Sequence, residues 1–182
     1  MKTCLFGGTF NPVHTGHVLI MADIIDVYAL NEIIIVPAAV PPHKPAGYMA
    51  DISFRLEMAR LAFAGLPQCR VSDIEAKRDG RSYTIDTVRY FLKTLPPETD
   101  LLFIVGLDAF LELDTWKNHL RLIETIPFIV INRPLAEGAG QQALASFLAS
   151  KIAPGYVFYA EHSVFIHKKL KPVFFHKEPA VN

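Results

Sequence analysis

The run EIIIVPA, Glu32 to Ala38, offers water no polar residue after its first position. An unbroken β-branched stretch of this kind is typical of a strand buried on both faces, as in a parallel sheet. Upstream, Cys4-Leu5-Phe6 reads as the end of a strand, and beyond the next turn Val18, Ala22, Ile25 and Ala29 fall on one face of a helix. The alternation then continues through a proline-rich loop (Ala39 to Met49), a helix around Ser53 to Ala64, a strand around Arg70 to Ile74, and a polar loop (Glu75 to Tyr83). A helix from Thr84 to about Leu95 precedes two more buried strands, Leu101 to Val105 and Phe128 to Ile131. Five strands separated by helices predict an α/β fold with a doubly wound parallel sheet. With 182 residues, 51% of them hydrophobic, the chain can bury one substantial core, and 1–182 reads as a single domain.

From Ala136 the pattern weakens. EGAG reads as a turn, QQALASFLASK as a short helix and GYVFYA as a last strand. From about Glu161 the chain mixes aromatics, lysines and prolines without a period, and the expectation is an atypical, partly disordered tail.

Lys plus Arg (18) equals Asp plus Glu (18), so no long-range positive field draws the chain to nucleic acid or an anionic membrane. No apolar run approaches the ~20 residues of a membrane helix. The start, MKTCLFGG, lacks the apolar core and cleavage site of a secretory signal, which predicts a cytoplasmic protein. Cys4 and Cys69 fall on predicted strands without ligand spacing and read as buried thiols. Composition leaves a homo-oligomer open.

The candidate site is the turn between the first strand and helix, GGTFNPVHTGH, Gly7 to His17. Glycines after a strand let a ligand approach the backbone, and the following helix N-terminus offers unpaired N–H groups and a positive dipole end. This is the chemistry of a phosphate site, with His14 and His17 flanking Gly16 at the helix entrance. Two histidines at this spacing are also compatible with metal ligation, but the turn supplies no third ligand. GxGxxG does not follow the first strand, which removes the main support for a dinucleotide-dependent dehydrogenase.

GGTFNPVHTGH resembles the signature of the nucleotidyltransferase superfamily that shares an HxGH motif, and within it the nicotinate-nucleotide adenylyltransferase family. The likeness recurs in order: PPHK (Pro41 to Lys44), RLEM (Arg55 to Met58), SYTIDT (Ser82 to Thr87), GLDAF (Gly106 to Phe110), Trp116 and VINRP (Val130 to Pro134). The resemblance implies a Rossmann-like fold and transfer of the adenylyl group of ATP to nicotinate mononucleotide, with Mg²⁺ carried largely on the ATP. It implies that Gly7, Gly8, Thr9, Phe10, His14, His17, Gly106, Asp108 and Ser163 bind ATP, His14 and His17 being catalytic and His17 stabilising charge at the α-phosphate. Lys44, Ser82, Tyr83, Thr84, Trp116 and Arg133 are implied for the mononucleotide: Lys44 at its phosphate, the Ser82-Tyr83-Thr84 run at its carboxylate and Trp116 stacked on its ring.

Several of these residues have ordinary readings too. Asp108 and Thr84 are natural helix caps, a lone Trp is often core, and Arg55 fits either the anion field or an ion pair with a neighbouring carboxylate. The chain also departs from the family pattern. Asn11 stands where Asp is usual. Near the C-terminus, where the family carries a run like ISSTxIR, this chain reads EHSVFIH, with Val164 in place of Thr and His167 in place of Arg. The helical tail that the resemblance implies is not spelled out after His167. An imidazole loses the bidentate phosphate contact of a guanidinium, and Lys168 and Lys169 would replace it only if a helix started there. Two alternatives follow: a related enzyme acting on nicotinamide mononucleotide or phosphopantetheine, and a nucleotide-binding protein with impaired turnover.

Overall fold

The structure, a computed structural model, describes residues 1–42, 49–132 and 138–177. The fold comprises two compact units, Met1–Leu101 and Leu102–Asn182.

The first unit contains β1 (Lys2–Gly8), α1 (Thr15–Tyr28), β2 (Glu32–Pro37), α2 (Ile52–Phe63), β3 (Cys69–Val71) and α3 (Thr84–Thr94). Its strands lie in the order β3-β2-β1, all parallel, with Leu5 opposite Ile34 and Ile34 opposite Arg70. Ile33, Ile34 and Ile35 are fully buried, as the run predicts. Each contributes roughly 1.5–3 kcal/mol of hydrophobic stabilisation. β1 and β2 end level: Gly8 pairs with Pro37, and the Ala38 N–H donates to the Gly8 carbonyl at 2.8 Å. The glycine turn therefore leaves the sheet at its carboxyl edge, where open α/β sheets bind ligands.

α1 buries only Ile25 of the four residues expected on its core face. Ile20, Met21, Ile24 and Ile25 are buried, whereas Ala29 is an exposed left-handed C-cap at φ 49°. The larger apolar side chains took the core and left Val18 and Ala22 at its margin. α2 starts at Asp51, whose side chain accepts the Ser53 N–H at 2.8 Å, an N-cap of the usual kind.

The second unit takes most of β4 (Asp100–Gly106), then α4 (Leu107–Phe110), α5 (His119–Thr125), β5 (Phe128–Asn132), α6 (Ala139–Phe147) running into one π turn (Leu148–Ile152), β6 (Val157–Tyr159), β7 (Val164–Ile166) and β8 (Val173–Lys177). The strand order is β4-β5-β8-β7-β6. β4, β5 and β8 are parallel, and β7 and β6 add an antiparallel edge. This corrects the expectation for the tail, because two strands follow GYVFYA. β8 inserts beside β5, with Val130 opposite Phe175, and buries Val173 and Phe175. Val173, Phe174 and Phe175 are consecutive apolar residues followed by His176 and Lys177, so the segment has no period-2 alternation to mark it as a strand among the surrounding lysines and prolines.

Both cysteines lie on strands, Cys4 fully buried on β1 and Cys69 partly buried on β3, and both are free thiols. Burial pushes the Cys4 pKa well above its usual value and that of Cys69 up to about 11. Among the described residues no helix is long and apolar enough to cross a membrane.

Candidate active site

In the first unit Gly7 and Gly8 end β1, and Thr9 and Phe10 begin the turn. Phe10 adopts φ 47°, a left-handed conformation that costs a non-glycine residue about 1 kcal/mol or more. Its ring is almost fully buried, edge-on to Phe6 at 5.2 Å and to His17 at 5.3 Å, which offsets that strain. A Cβ on Gly8 would lie 3.0 Å from the Phe10 ring, so glycine there is a close-approach requirement.

His14 is the N-cap residue of α1 with extended backbone, and His17 lies in the first turn. Their rings stack at 3.7 Å between centroids. The His14 backbone N–H donates to Nδ1 of His17 at 3.2 Å. Accepting at Nδ1 puts the proton of the neutral ring on Nε2, where it is a donor. Gly16 belongs to the same arrangement, since a Cβ there would meet the His14 ring at 3.1 Å. The H-x-G-H spacing thus has a local explanation: two rings cross the helix entrance over a residue without a side chain.

Asn11 accepts the Ala50 N–H through its side-chain oxygen at 3.0 Å. Because a carboxylate oxygen would accept equally well, the Asn-for-Asp departure preserves this bond.

Ser82 is tied to the loop after β2. Its hydroxyl oxygen accepts N–H groups from Ala39 at 3.0 Å and Val40 at 3.1 Å, and among the described residues its O–H has no acceptor. α3 begins at Thr84 with Tyr83 as N-cap and no side-chain cap, so Thr84 is not the cap residue. Asp86 in that first turn is paired with Arg89 at 3.9 Å.

Arg55 fits neither expectation. It is 1% exposed, and among the described residues the four hydrogen bonds of its guanidinium all go to backbone carbonyls, those of Thr9, Ala38, Ala39 and Ala50. Sequence reasoning missed this role although a signal existed: Arg55 shares the helical period of the buried Leu56, Ala59 and Phe63.

In the second unit Gly106 is the N-cap of α4 and Asp108 is exposed in its first turn, with no side-chain capping bond. A Cβ on Gly106 would fall 2.6 Å from the Asp108 carboxylate. Gly106, not Asp108, is thus the N-cap residue, and Asp108 is exposed. Trp116 ends the short 3₁₀ turn Leu113–Thr115 and is half-exposed rather than core.

Ser163 follows a second 3₁₀ turn (Ala160–His162) in left-handed conformation, and the chain then enters β7, so no helix starts at Ser163, Lys168 or Lys169. His167 closes its own turn: Nδ1 accepts the N–H groups of Lys169 and Leu170, each at 3.1 Å, and its ring stacks on Tyr156 at 5.1 Å. Lys44 and Arg133 lie outside the described residues.

Comparison with known proteins places this geometry. The cytidylyltransferase-like family model matches residues 5–177. A protein of Geobacter metallireducens named probable nicotinate-nucleotide adenylyltransferase is 35% identical over 175 residues, covering 96% of this chain and 79% of that protein. One of the same name from Citrifermentans bemidjiense is 42% identical over 158 residues, covering 87% and 71%. Among solved structures, the Plasmodium falciparum nicotinic acid mononucleotide adenylyltransferase complexed with NaAD superposes with a TM-score of 0.72 at 17% identity, over 100% of this chain and 77% of that one. That likeness shows the fold, the Rossmann-like α/β architecture that the strand–helix alternation predicts. Carrying GGTFNPVHTGH at the carboxyl edge of β1 and matching these relatives over most of its length, the chain belongs to the nicotinate-nucleotide adenylyltransferase family.

Proposed function

We propose that the protein transfers the adenylyl group of ATP to nicotinate mononucleotide, releasing pyrophosphate and forming deamido-NAD. A phosphate oxygen of the mononucleotide bonds to the α-phosphorus of ATP as the bond to the bridging α–β oxygen breaks, and the electron pair leaves with pyrophosphate. No covalent enzyme intermediate is needed, so catalysis is positioning and charge stabilisation.

The observation that carries this reading is the hydrogen bond from the His14 N–H to Nδ1 of His17. It fixes a donor, Nε2–H of His17, at the mouth of a glycine turn whose helix N-terminus already favours anions. In this reading Gly7, Gly8, Thr9 and Phe10 let the triphosphate approach the backbone, and His14 adds a second donor. Gly106 and Asp108 take the nucleoside, the exposed carboxylate accepting from ribose hydroxyls. Ser163 is assigned to the ATP by the sequence pattern alone.

On the acceptor side Ser82, Tyr83 and Thr84 take the nicotinate carboxylate. The Ser82 O–H and the amides of Thr84 and Ile85 at the start of α3 form a donor set suited to an acid rather than an amide. Trp116 stacks on the pyridine ring, and Lys44 and Arg133 hold the mononucleotide phosphate. Among the described residues no three His, Cys, Asp or Glu side chains converge on a metal position. A divalent cation, Mg²⁺ in this proposal, enters on the triphosphate through ATP oxygens and water. The reaction is placed in the cytoplasm, on the chain working as one nucleotidyltransferase domain.

A second reading, nucleotide binding with impaired turnover, is favoured by one observation: His167 spends its Nδ1 on Lys169 and Leu170 and so offers no guanidinium-like clamp. Pyrophosphate release with MgATP and, separately, nicotinate mononucleotide or phosphopantetheine separates the readings. Release with nicotinate mononucleotide alone supports the first, release with phosphopantetheine alone contradicts it, and ATP binding without release supports the second.

A further inference from the structure

The glycine turn leans on a buried cation. Arg55 sits on the core face of α2 and is 1% exposed. Its Nε donates to the Ala50 carbonyl at 2.8 Å, Nη1 to those of Thr9 at 2.8 Å and Ala38 at 2.7 Å, and Nη2 to that of Ala39 at 3.3 Å. Three separate segments thus meet on one planar fork: the turn after β1, the exit of β2 and the entrance to α2. Among the described residues Arg55 makes no ion pair, and the adjacent Asp51 carboxylate is taken by the N–H and O–H of Ser53 at 2.8 and 2.6 Å. Among the described residues the guanidinium is hydrogen-bonded only to carbonyls, with the Asp51 charge acting on it from further off; a buried charge held in this way is a costly choice for core packing, and an apolar side chain on that face of α2 would avoid the cost.

Three of the four acceptor residues of Arg55 make another bond to the site, and the fourth, Thr9, belongs to the glycine turn itself. Ala38 donates to Gly8, Ala50 donates to Asn11, and Ala39 donates to Ser82. The result is a continuous path, Thr9–Arg55–Ala39–Ser82, from the proposed ATP turn to the proposed carboxylate turn, all within the first unit.

We infer that Arg55 is a positioning residue: its guanidinium fixes the spacing between the Gly7–Phe10 turn and the Ser82–Thr84 turn, so that both substrates are held at once. The inference rests on the proposed function for its kinetic consequence but not for its structural one. Lysine keeps the charge but is a point donor that cannot span three segments.

The test compares the native chain with Arg55→Lys and Arg55→Met by segment-resolved amide exchange and by steady-state kinetics for ATP and nicotinate mononucleotide. In Arg55→Lys, exchange at the amides of residues 8–11 and 38–40 should quicken about tenfold, the equivalent of one lost hydrogen bond, with β2 and α3 as in the native chain. KM for both substrates should rise together by a similar factor. Unchanged exchange in those segments, a uniform rise across the unit, or native KM values in a loosened turn would each overturn the inference. Arg55→Met should show the same pattern more strongly, and if it does not fold, the lysine variant alone decides. If the native chain makes no dinucleotide, the proposed function fails, while the exchange comparison still decides whether Arg55 holds the two turns.

Discussion

Nδ1 of His17 accepts the backbone N–H of His14 at 3.2 Å, so His17 cannot carry its neutral-ring proton on that nitrogen. The same bond orients the ring across the entrance of α1, against Phe10 and under His14. In the proposed reaction, what the two histidines offer a polyphosphate is therefore set by backbone geometry.

Removal of the Nε2 donor should act mainly on the chemical step. For His17→Ala, kcat should fall by about 10² to 10³, the range seen when one charge-stabilising donor is deleted. His17→Gln, which returns an N–H donor of similar reach, should recover part of the loss. Initial rates at saturating ATP check this, and a kcat within threefold of native for His17→Ala would contradict the role.

Gly16→Ala separates stability from activity. Its Cβ would meet Nδ1 of His14 at 3.1 Å and Cε1 at 3.2 Å, displacing the ring, while replacing a helical glycine reduces unfolded-state entropy by roughly 0.4–1 kcal/mol. The expected outcome is an equal or higher melting temperature with kcat/KM for ATP lowered about tenfold, a loss of about 1.4 kcal/mol in transition-state binding. Thermal melts and kinetics on the same preparation test the pair of effects.

Restoring the family residues in the tail should not improve the protein. Val164 is 4% exposed in β7 and His167 holds two backbone N–H groups. Val164→Thr buries a hydroxyl at about 1–3 kcal/mol when it is unpaired, and His167→Arg removes a turn cap. The double variant should unfold at lower denaturant with no gain in affinity for ATP. A tighter ATP complex would mean that the segment can act as a triphosphate clamp after all.

The cysteines give a pH signature. Burial disfavours the thiolate and pushes the Cys69 pKa from its ordinary value of 9.0 up to about 11. Between those values the unfolded chain loses a proton that the folded chain keeps, so stability is level below pH 9 and falls as pH rises toward 11. Cys69→Ala should flatten part of that decline in denaturant titrations. Cys4, fully buried with its pKa raised further, should resist alkylation at pH 8 until the chain is unfolded.

Much of the fold was legible because its signals were local. EIIIVPA, the Thr84 helix start and the glycine turn each carry their own physics. The tail was not, since β8 is defined by the β5 neighbour that buries it, and Val173 to Lys177 has no composition that separates it from loop. In the site, the H-x-G-H turn was readable from residue types and spacing. Arg55 was misassigned because charge near a phosphate turn suggests ligand contact, whereas its partners are carbonyls up to 46 positions away in sequence. His167 stood out as a missing arginine, and its actual bonds, to amides two and three residues on, depend on a turn that sequence alone did not reveal.

The most direct test is an equimolar competition: purified protein, MgATP, and nicotinate mononucleotide mixed with its amide in one tube, with dinucleotide masses read during the first turnovers. The account predicts deamido-NAD in large excess over NAD, by about tenfold or more, as expected for a donor set that leaves the amide imperfectly paired. Equal yields of the two dinucleotides, or none from a folded protein, would contradict it.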